Sequence, residues 1–101
     1  MKISFDFDRT LQKKNIQKIA AEHIKAGDEV FIITRRCQDE NAEPLAVADR
    51  LGIPHDNVLF TCHEWKWKTI KDLGIDEHYD DKLTEIILIE RHTKTNGKLV
   101  Q

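Results

Sequence analysis

The stretch "GDEVFIIT", residues 27–34, joins a glycine and two acidic residues to four apolar residues and a threonine. Its apolar part is β-branched or aromatic, which is typical of a strand buried on both faces. In the preceding segment, residues 16–24 repeat apolar side chains at helical spacing, with Asn15 as a candidate N-cap. We therefore predict a helix that ends in a left-handed turn at Gly27 and leads into a buried strand.

The same order recurs along the chain. Three further segments place a glycine before polar residues and then an apolar run: "GIPHDNVLFT" (52–61), "GIDEHYDD" (74–81) and "NGKLV" (96–100). Helical spacing over 44–51, 67–73 and 83–90 predicts the helices between them. The run "IILI" at 86–89 also fits a strand, so both assignments stay open there. Each of the four glycines is predicted to close a helix in the left-handed conformation.

Strands and helices that alternate in this way favour a parallel sheet with right-handed crossovers. The predicted fold is therefore α/β, a Rossmann-like three-layer sandwich with a mainly parallel five-stranded sheet. A length of 101 residues predicts a single domain over 1–101, with no room for a second.

Composition limits the classes of partner. The chain has 16 basic and 18 acidic residues and a net charge of -2, so nothing indicates a membrane surface or nucleic acid as partner. A phosphorylated nucleic-acid end is not excluded. No apolar run is long enough to cross a bilayer or to form a signal peptide, which predicts a soluble cytoplasmic protein.

The cysteines agree with a reducing compartment at this stage. Cys37 and Cys62 are too few to stabilise a small secreted fold. Together with His63 they offer only three soft metal ligands, without paired spacing. They are therefore predicted to be ordinary thiols beside a surface imidazole.

Polar residues collect where the predicted strands end. The loops that follow the first four strands read "DFDRT" (6–10), "TRRC" (34–37), "TCHEWKWK" (61–68) and "DDK" (80–82). In a parallel sheet these loops share one edge, where ligands bind. If the pleat of the first strand continues, Asp6 and Asp8 point the same way, roughly 6–7 Å apart. Asp80 and Asp81 should reach the same edge.

Carboxylates crowded in this way need a proton or a cation to offset their charge. Oxygen ligands with few other donors suit Mg²⁺, which commonly bridges to a phosphate. The lysines, arginines and threonines of the same loops complement a phosphate group. The sequence therefore predicts a combined site for Mg²⁺ and a phosphate.

These segments resemble the haloacid dehalogenase-like (HAD) phosphohydrolases. The family signature is an apolar strand followed by D-x-D-x-[TV], a strand ending in Thr or Ser, a lysine near a helix start, and a strand ending in an acidic pair. The segments "ISFDFDRTL" (3–11), "VFIIT" (30–34), "EWKWK" (64–68) and "EHYDD" (77–81) match it in that order. The resemblance covers most of the chain and implies a Mg²⁺-dependent hydrolase, a phosphatase that forms an aspartyl-phosphate.

The resemblance also implies roles for individual residues. Asp6 would attack the phosphorus and ligate Mg²⁺. Asp8 would protonate the leaving oxygen and later activate water, with its backbone carbonyl on the metal. Asp80 would complete the metal shell, and Asp81 would ligate the metal directly or through water.

The remaining roles concern the substrate. Thr34 would hydrogen-bond a phosphoryl oxygen, and Lys66, preferred here to Lys68, would offset charge in the transition state. The predicted contacts to the substrate phosphate are Thr10, Thr34, Arg35 and Lys66. Trp65 is a candidate for stacking on a substrate ring.

The chain departs from the family in lacking room for a flap or a cap domain. An open site is poorly shielded from water unless a large substrate or a second subunit of a homo-oligomer covers it. Two functions therefore stand: a phosphatase acting on a phosphorylated small molecule or nucleotide, and a catalytically weak phosphate-binding or interaction module on the same scaffold. A receiver-type signalling domain is disfavoured, because its third strand should end in an aspartate where this chain has "LFTCH" (59–63).

Overall fold

Five strands and four α-helices alternate along the chain in the computed structural model, which describes residues 1–101. The strands are β1 (Lys2–Phe5), β2 (Glu29–Thr34), β3 (Val58–Phe60), β4 (Glu77–Asp80) and β5 (Asn96–Leu99). The helices are α1 (Lys14–Lys25), α2 (Ala42–Leu51), α3 (Trp67–Leu73) and α4 (Leu83–His92). The predicted alternation is confirmed, and the ambiguous run 86–89 belongs to α4.

All four strand pairs of the sheet are parallel, and the strand order is β3-β2-β1-β4-β5. This confirms the predicted α/β fold with a parallel five-stranded sheet, and it is compatible with a Rossmann-like three-layer arrangement. The chain leaves β1 toward β2 on one side, whereas β4 pairs with β1 on the other. The strand order therefore reverses beside β1, which is where open α/β sheets bind ligands.

The two faces of the sheet are packed separately, and β2 shows how. Val30 and Ile32 point into a cluster that includes side chains of α1 and α2. Phe31 and Ile33 point the other way, into a cluster with side chains of α3 and α4. Because successive side chains of a strand alternate between faces, one apolar run supplies both layers of core.

Three of the four glycines behave as predicted. Gly27, Gly52 and Gly74 have positive φ values of 91°, 79° and 68° and end helices or turns before strands. The prediction is wrong for Gly97, which lies inside β5 and lacks a positive φ. Its role is close packing, since a Cβ there would lie 2.9 Å from Cγ2 of Ile86 in α4.

The start of α1 also differs from the prediction. The helix begins at Lys14, with Lys13 in the N-cap position and no side-chain cap. The N-cap prediction for Asn15 is therefore wrong.

A separate question is membrane insertion, and here no helix combines the length and apolarity that crossing a bilayer requires.

Candidate active site

Asp6 stands directly after β1 at the reversal point of the sheet. Its backbone N–H donates to the carbonyl of Tyr79 in the neighbouring β4, 2.8 Å away. The chain then turns through a wide helical loop, Phe7–Leu11, closed by a hydrogen bond from the Leu11 N–H to the Asp6 carbonyl at 3.1 Å. The pleat of β1 does not continue to Asp8, because the strand ends at Phe5, before this loop.

The Asp6 carboxylate is buried and held at both oxygens. Oδ1 accepts a hydrogen bond from Nζ of Lys66 at 2.7 Å, and Oδ2 accepts one from the Thr10 hydroxyl at 3.2 Å. Thr10 is fully buried in the same loop. The structure therefore places the Thr10 hydroxyl against Asp6, where it orients the carboxylate.

Lys66 lies at the centre of the site. Its side chain is about 3% exposed, and Nζ lies 2.7 Å from Asp6 Oδ1 and 2.7 Å from Asp80 Oδ2. It occupies the N-cap position of α3, which aims it at the strand ends. Lys68, the alternative lysine, is exposed and forms no ion pair, so the geometry favours Lys66.

Asp80 ends β4 and accepts three hydrogen bonds. Besides Lys66, its donors are Nε2 of His78 at 2.9 Å and the backbone N–H of Lys82 at 3.0 Å. Nδ1 of His78 in turn lies 2.6 Å from the Ser4 hydroxyl. A carboxylate can only accept, so Nε2 carries the proton and Nδ1 of the neutral ring accepts from Ser4. Burial lowers the pKa of His78, which agrees with a neutral ring.

Ser4 and His78 were not predicted as parts of the site. They are register partners in adjacent strands, and both are fully buried. The signal in the sequence was a serine between the apolar residues Ile3 and Phe5 of β1 and a histidine inside the short strand β4. Their partnership depends on the register between β1 and β4, which no local pattern specifies.

The carboxylates of the site have opposite pKa shifts. Carboxylate oxygens of Asp6, Asp80 and Asp81 lie within 4.8 Å of one another, and a single lysine is shared between the first two. Burial, with the nearby charge of Asp80, raises the pKa of Asp6 to about 7 against the pull of Lys66. Burial also opposes ionisation of Asp80, but the His78 hydrogen bond and the Lys66 charge lower its pKa to about 2. Asp80 therefore ionises at a lower pH than Asp6, and the crowding of negative charge appears as the raised pKa of Asp6.

The same three carboxylates could hold a divalent cation. They offer only oxygen atoms, the ligands that Mg²⁺ prefers, and their excess negative charge is what such an ion would offset. Asp81 currently accepts a hydrogen bond from Nε of Arg9 at 3.0 Å. The donor set is therefore compatible with a divalent cation such as Mg²⁺, for which Asp6, Asp80 and Asp81 would be the ligands.

Asp8 lies apart from this carboxylate group. Nε and Nη2 of Arg36 donate to its two oxygens, at 3.1 Å and 2.7 Å, and Nη2 also reaches Glu43 at 3.1 Å. The hydrogen bond from Arg36 lowers the pKa of Asp8. Such a carboxylate stays ionised, so it can accept a proton from water but cannot donate one until Arg36 moves away.

A cavity of about 190 Å³, lined entirely by charged residues, lies at the candidate site. Its lining consists of Asp6, Asp8, Arg9, Arg35, Lys66, Asp80, Asp81, Lys82 and Glu85. Thr34, predicted to contact a phosphoryl oxygen, is fully buried outside this lining, and its hydroxyl accepts the Arg36 N–H at 3.2 Å. A larger cavity of about 610 Å³ lies at the opposite edge of the sheet, between the carboxyl ends of α3 and α4, away from these acids.

Glu85 is a further residue that sequence reasoning missed. It lies in the first turn of α4 and is fully buried. Oε1 accepts the backbone N–H of Lys66 at 3.1 Å, whereas Oε2 has no hydrogen-bond partner. Burial raises the pKa of Glu85, so its neutral form is favoured more than in water. The residue fixes the backbone that carries Lys66.

A disulfide joins Cys37 to Cys62 and links the loops that follow β2 and β3. The prediction of two ordinary thiols is therefore wrong. Because neither cysteine is a free thiol, the pair does not offer thiolate ligands for a soft-metal site with His63. The backbone N–H groups of Cys62 and His63 donate to the carbonyls of Arg36 and Arg35, at 3.2 Å and 2.8 Å. Together these links hold the segment that carries both arginines.

Removing this disulfide is expected to lower the free energy of unfolding by about 3 kcal/mol. The two cysteines are 25 positions apart, and cross-linking a loop of that size restricts the unfolded chain by roughly this amount. Urea unfolding of the oxidised protein, with and without a thiol reductant, measures the difference. A Cys37→Ser, Cys62→Ser variant should have the unfolding midpoint of the reduced protein, and adding the reductant should not change it. Equal unfolding midpoints for the oxidised and the reduced wild type would contradict the expectation.

The fold and the site define a lysine-bridged acidic centre at the reversal point of a parallel α/β sheet. The sequence matches no protein-family model, and no curated protein matches it.

Proposed function

We propose that this protein is a Mg²⁺-dependent phosphomonoester hydrolase of the HAD-like type that works through a phosphorylated Asp6. The observation that carries the proposal is the Asp6–Lys66–Asp80 bridge, with 2.7 Å on each side. It unites a carboxylate from the first strand with one from the fourth, in a cavity lined only by charged groups. Such a set can bind a metal and a phosphate together.

The proposed reaction has two steps that balance. In the first, an Asp6 oxygen bonds to phosphorus while the ester P–O bond breaks, and the leaving oxygen takes the proton that Asp8 carries once Arg36 has moved away. In the second, water gives a proton to Asp8 and bonds to phosphorus, while the bond between phosphorus and Asp6 breaks and releases phosphate. Mg²⁺, when bound, would offset phosphate charge. Lys66 keeps its charge throughout, since the two carboxylates raise its pKa against the effect of burial.

One contact favours the second candidate, a phosphate-binding module with little turnover. Arg36 holds Asp8 ionised, and an ionised Asp8 supplies no proton to the leaving oxygen in the first step. A good leaving group such as p-nitrophenolate needs no such proton, whereas an alkoxide does. The two kinds of ester therefore separate a competent hydrolase from a binding module.

The test is phosphate release from p-nitrophenyl phosphate and from an alkyl phosphate, with Mg²⁺ and with a chelator in its place. We expect Mg²⁺-dependent release from both esters and loss of release with the chelator. A fluoroberyllate soak with Mg²⁺ should give an adduct on Asp6. Background release from both esters, with phosphate still bound in calorimetry, would support the binding module; the absence of both would overturn the whole proposal.

A further inference from the structure

The cations that line the charged cavity fall into two groups. Lys66 and Arg9 pair with carboxylates of the site, Lys66 with Asp6 and Asp80 and Arg9 with Asp81. Arg35 and Lys82 line the same cavity or its mouth but have no carboxylate oxygen within 4.0 Å. These two charges are therefore available to an anion from outside the protein.

Both unpaired cations meet at the indole of Trp65. The guanidinium carbon of Arg35 lies 4.5 Å from the ring centroid, and Nζ of Lys82 lies 5.9 Å from it. The three residues come from the loops after β2, β3 and β4. Trp65 is 41% exposed, which places this cation pair at the solvent side of the cavity. Cation–π contacts hold charges in place without neutralising them.

The positions of the two cations are further fixed. Nε and Nη2 of Arg35 donate to the His63 carbonyl, and the disulfide ties the loops on both sides of this contact. The backbone N–H of Lys82 donates to Oδ1 of Asp80, a residue of the acidic centre. The guanidinium of Arg35 and the backbone of Lys82 are therefore held in place before any ligand arrives, and this lowers the ordering entropy lost on binding.

The cavity itself places part of the substrate near these two cations. Arg35 and Lys82 line the same cavity of about 190 Å³ as Asp6 and Lys66. A phosphate bound beside Asp6 and Lys66 therefore leaves the rest of the ester within reach of Arg35 and Lys82. One face of the Trp65 indole is already engaged by Arg35, so a planar ring stacked on that face would have to displace the cation. An anionic group gains both charges without displacing anything.

We propose that Arg35 and Lys82, supported by Trp65, bind a second anionic group on the leaving part of the substrate, a carboxylate or a second phosphate. This inference rests on the proposed hydrolase and names its substrate class: phosphomonoesters that carry another negative charge within a few bonds of the ester. The transferred phosphate lies at Asp6 and Lys66, and the second anion lies at the Trp65 mouth.

A matched pair of substrates tests the inference. Glycerol 3-phosphate and 3-phosphoglycerate share a three-carbon skeleton and differ only at the carbon farthest from the phosphate. That carbon is an alcohol in the first compound and a carboxylate in the second. With Mg²⁺ at low salt, kcat/KM should be about 10- to 100-fold higher for 3-phosphoglycerate, the range that charge-assisted hydrogen bonds provide. The ratio should fall to about one in the double variant Arg35→Gln, Lys82→Gln.

A charge-matched control removes two exposed lysines at the opposite edge of the sheet. The double variant Lys71→Gln, Lys94→Gln changes net charge equally and should keep the ratio of the wild type. Loss of the ratio in this control as well would mean that the preference reflects overall charge, and the subsite would be rejected.

A binding measurement separates this inference from the proposed function. In Asp6→Asn with Mg²⁺, calorimetry should show 3-phosphoglycerate binding about 10-fold more tightly than glycerol 3-phosphate, independent of turnover. Equal binding and equal kcat/KM would overturn the subsite and leave the hydrolase standing. If 3-phosphoglycerate bound more tightly to Asp6→Asn than glycerol 3-phosphate did, but the wild type released phosphate from no ester, the subsite would be supported and the hydrolase overturned. Neither binding nor release would overturn both.

Discussion

Replacing Asp6 with asparagine is expected to lower phosphate release at least about 10⁴-fold and to stabilise the metal-free protein at pH 8. The substitution keeps the shape of the side chain and its contact with Thr10, and it removes the nucleophilic oxygen. Removal of a catalytic nucleophile costs rates of this order or more. The assay is release of phosphate from p-nitrophenyl phosphate with saturating Mg²⁺.

The gain in stability follows from the raised pKa of Asp6. Its value of about 7 in the folded protein lies above its ordinary value of 3.8, mainly because of burial. A group of this kind contributes stability that is complete below its unfolded pKa and is lost as the pH rises through 7. The uncharged amide has no such loss, so the variant should be more stable than wild type at pH 8 by roughly 2–4 kcal/mol, and the difference should shrink toward pH 4.

Urea unfolding in a chelator at the two pH values measures this difference. Lower activity with higher stability excludes misfolding as the cause of inactivity, because a misfolded variant would lose both. A variant that still releases phosphate at a tenth of the wild-type rate would remove Asp6 from the role of nucleophile. A loss of stability at pH 8 would contradict the electrostatic account of the site.

The meeting of Asp6 and Asp80 could be predicted because it depends on topology. Alternating strands and helices impose a parallel sheet, and a parallel sheet gathers the loops after its strands on one edge. The pairing of β1 with β4 then brings the two acids together. Neither step needs knowledge of side-chain conformations, so residues 60 or more positions apart in sequence could be grouped from pattern alone.

The details that were missed depend on local backbone geometry. The contact that Asp8 makes depends on the loop after β1, which contains Arg9 in the left-handed conformation, with φ of 59°. A non-glycine residue seldom adopts that conformation, so the turn could not be predicted from the sequence. The loop pairs Asp8 with Arg36, while Asp8 still lines the cavity that Asp6 also lines.

The disulfide was missed for a related reason. Cys37 and Cys62 follow neighbouring strands, β2 and β3, and both loops must bend toward each other before the sulfurs can meet. Positive φ values at Cys62 and His63, of 51° and 73°, provide that bend. The number of cysteines indicates whether a protein is typical of an oxidising or a reducing compartment. It does not indicate whether two particular loops come close enough for a disulfide to form.

Lys66→Met is expected to cost about 3 kcal/mol of unfolding free energy at pH 8 and to lower phosphate release about 10²- to 10³-fold. Methionine fills a similar volume, but it leaves Asp6 and Asp80 without their shared cation in a buried site. Removal of one partner from a buried ion pair leaves an uncompensated charge and costs energy of this size. Loss of a positioned positive charge near the transferred phosphate has the stated effect on rate.

The matched control is Lys68→Met, two positions along the same helix. That lysine is exposed and forms no ion pair, so its replacement should change stability by less than about 0.5 kcal/mol and leave phosphate release unaltered. The loss caused by Lys66→Met should also be smaller at pH 5 than at pH 8, because the carboxylates left behind can then take up protons more easily. Urea unfolding at both pH values with a chelator present measures the two variants side by side. If they were equally stable at pH 8, the Asp6–Lys66–Asp80 bridge would contribute no more than an exposed charge, and the acidic centre would need another source of compensation.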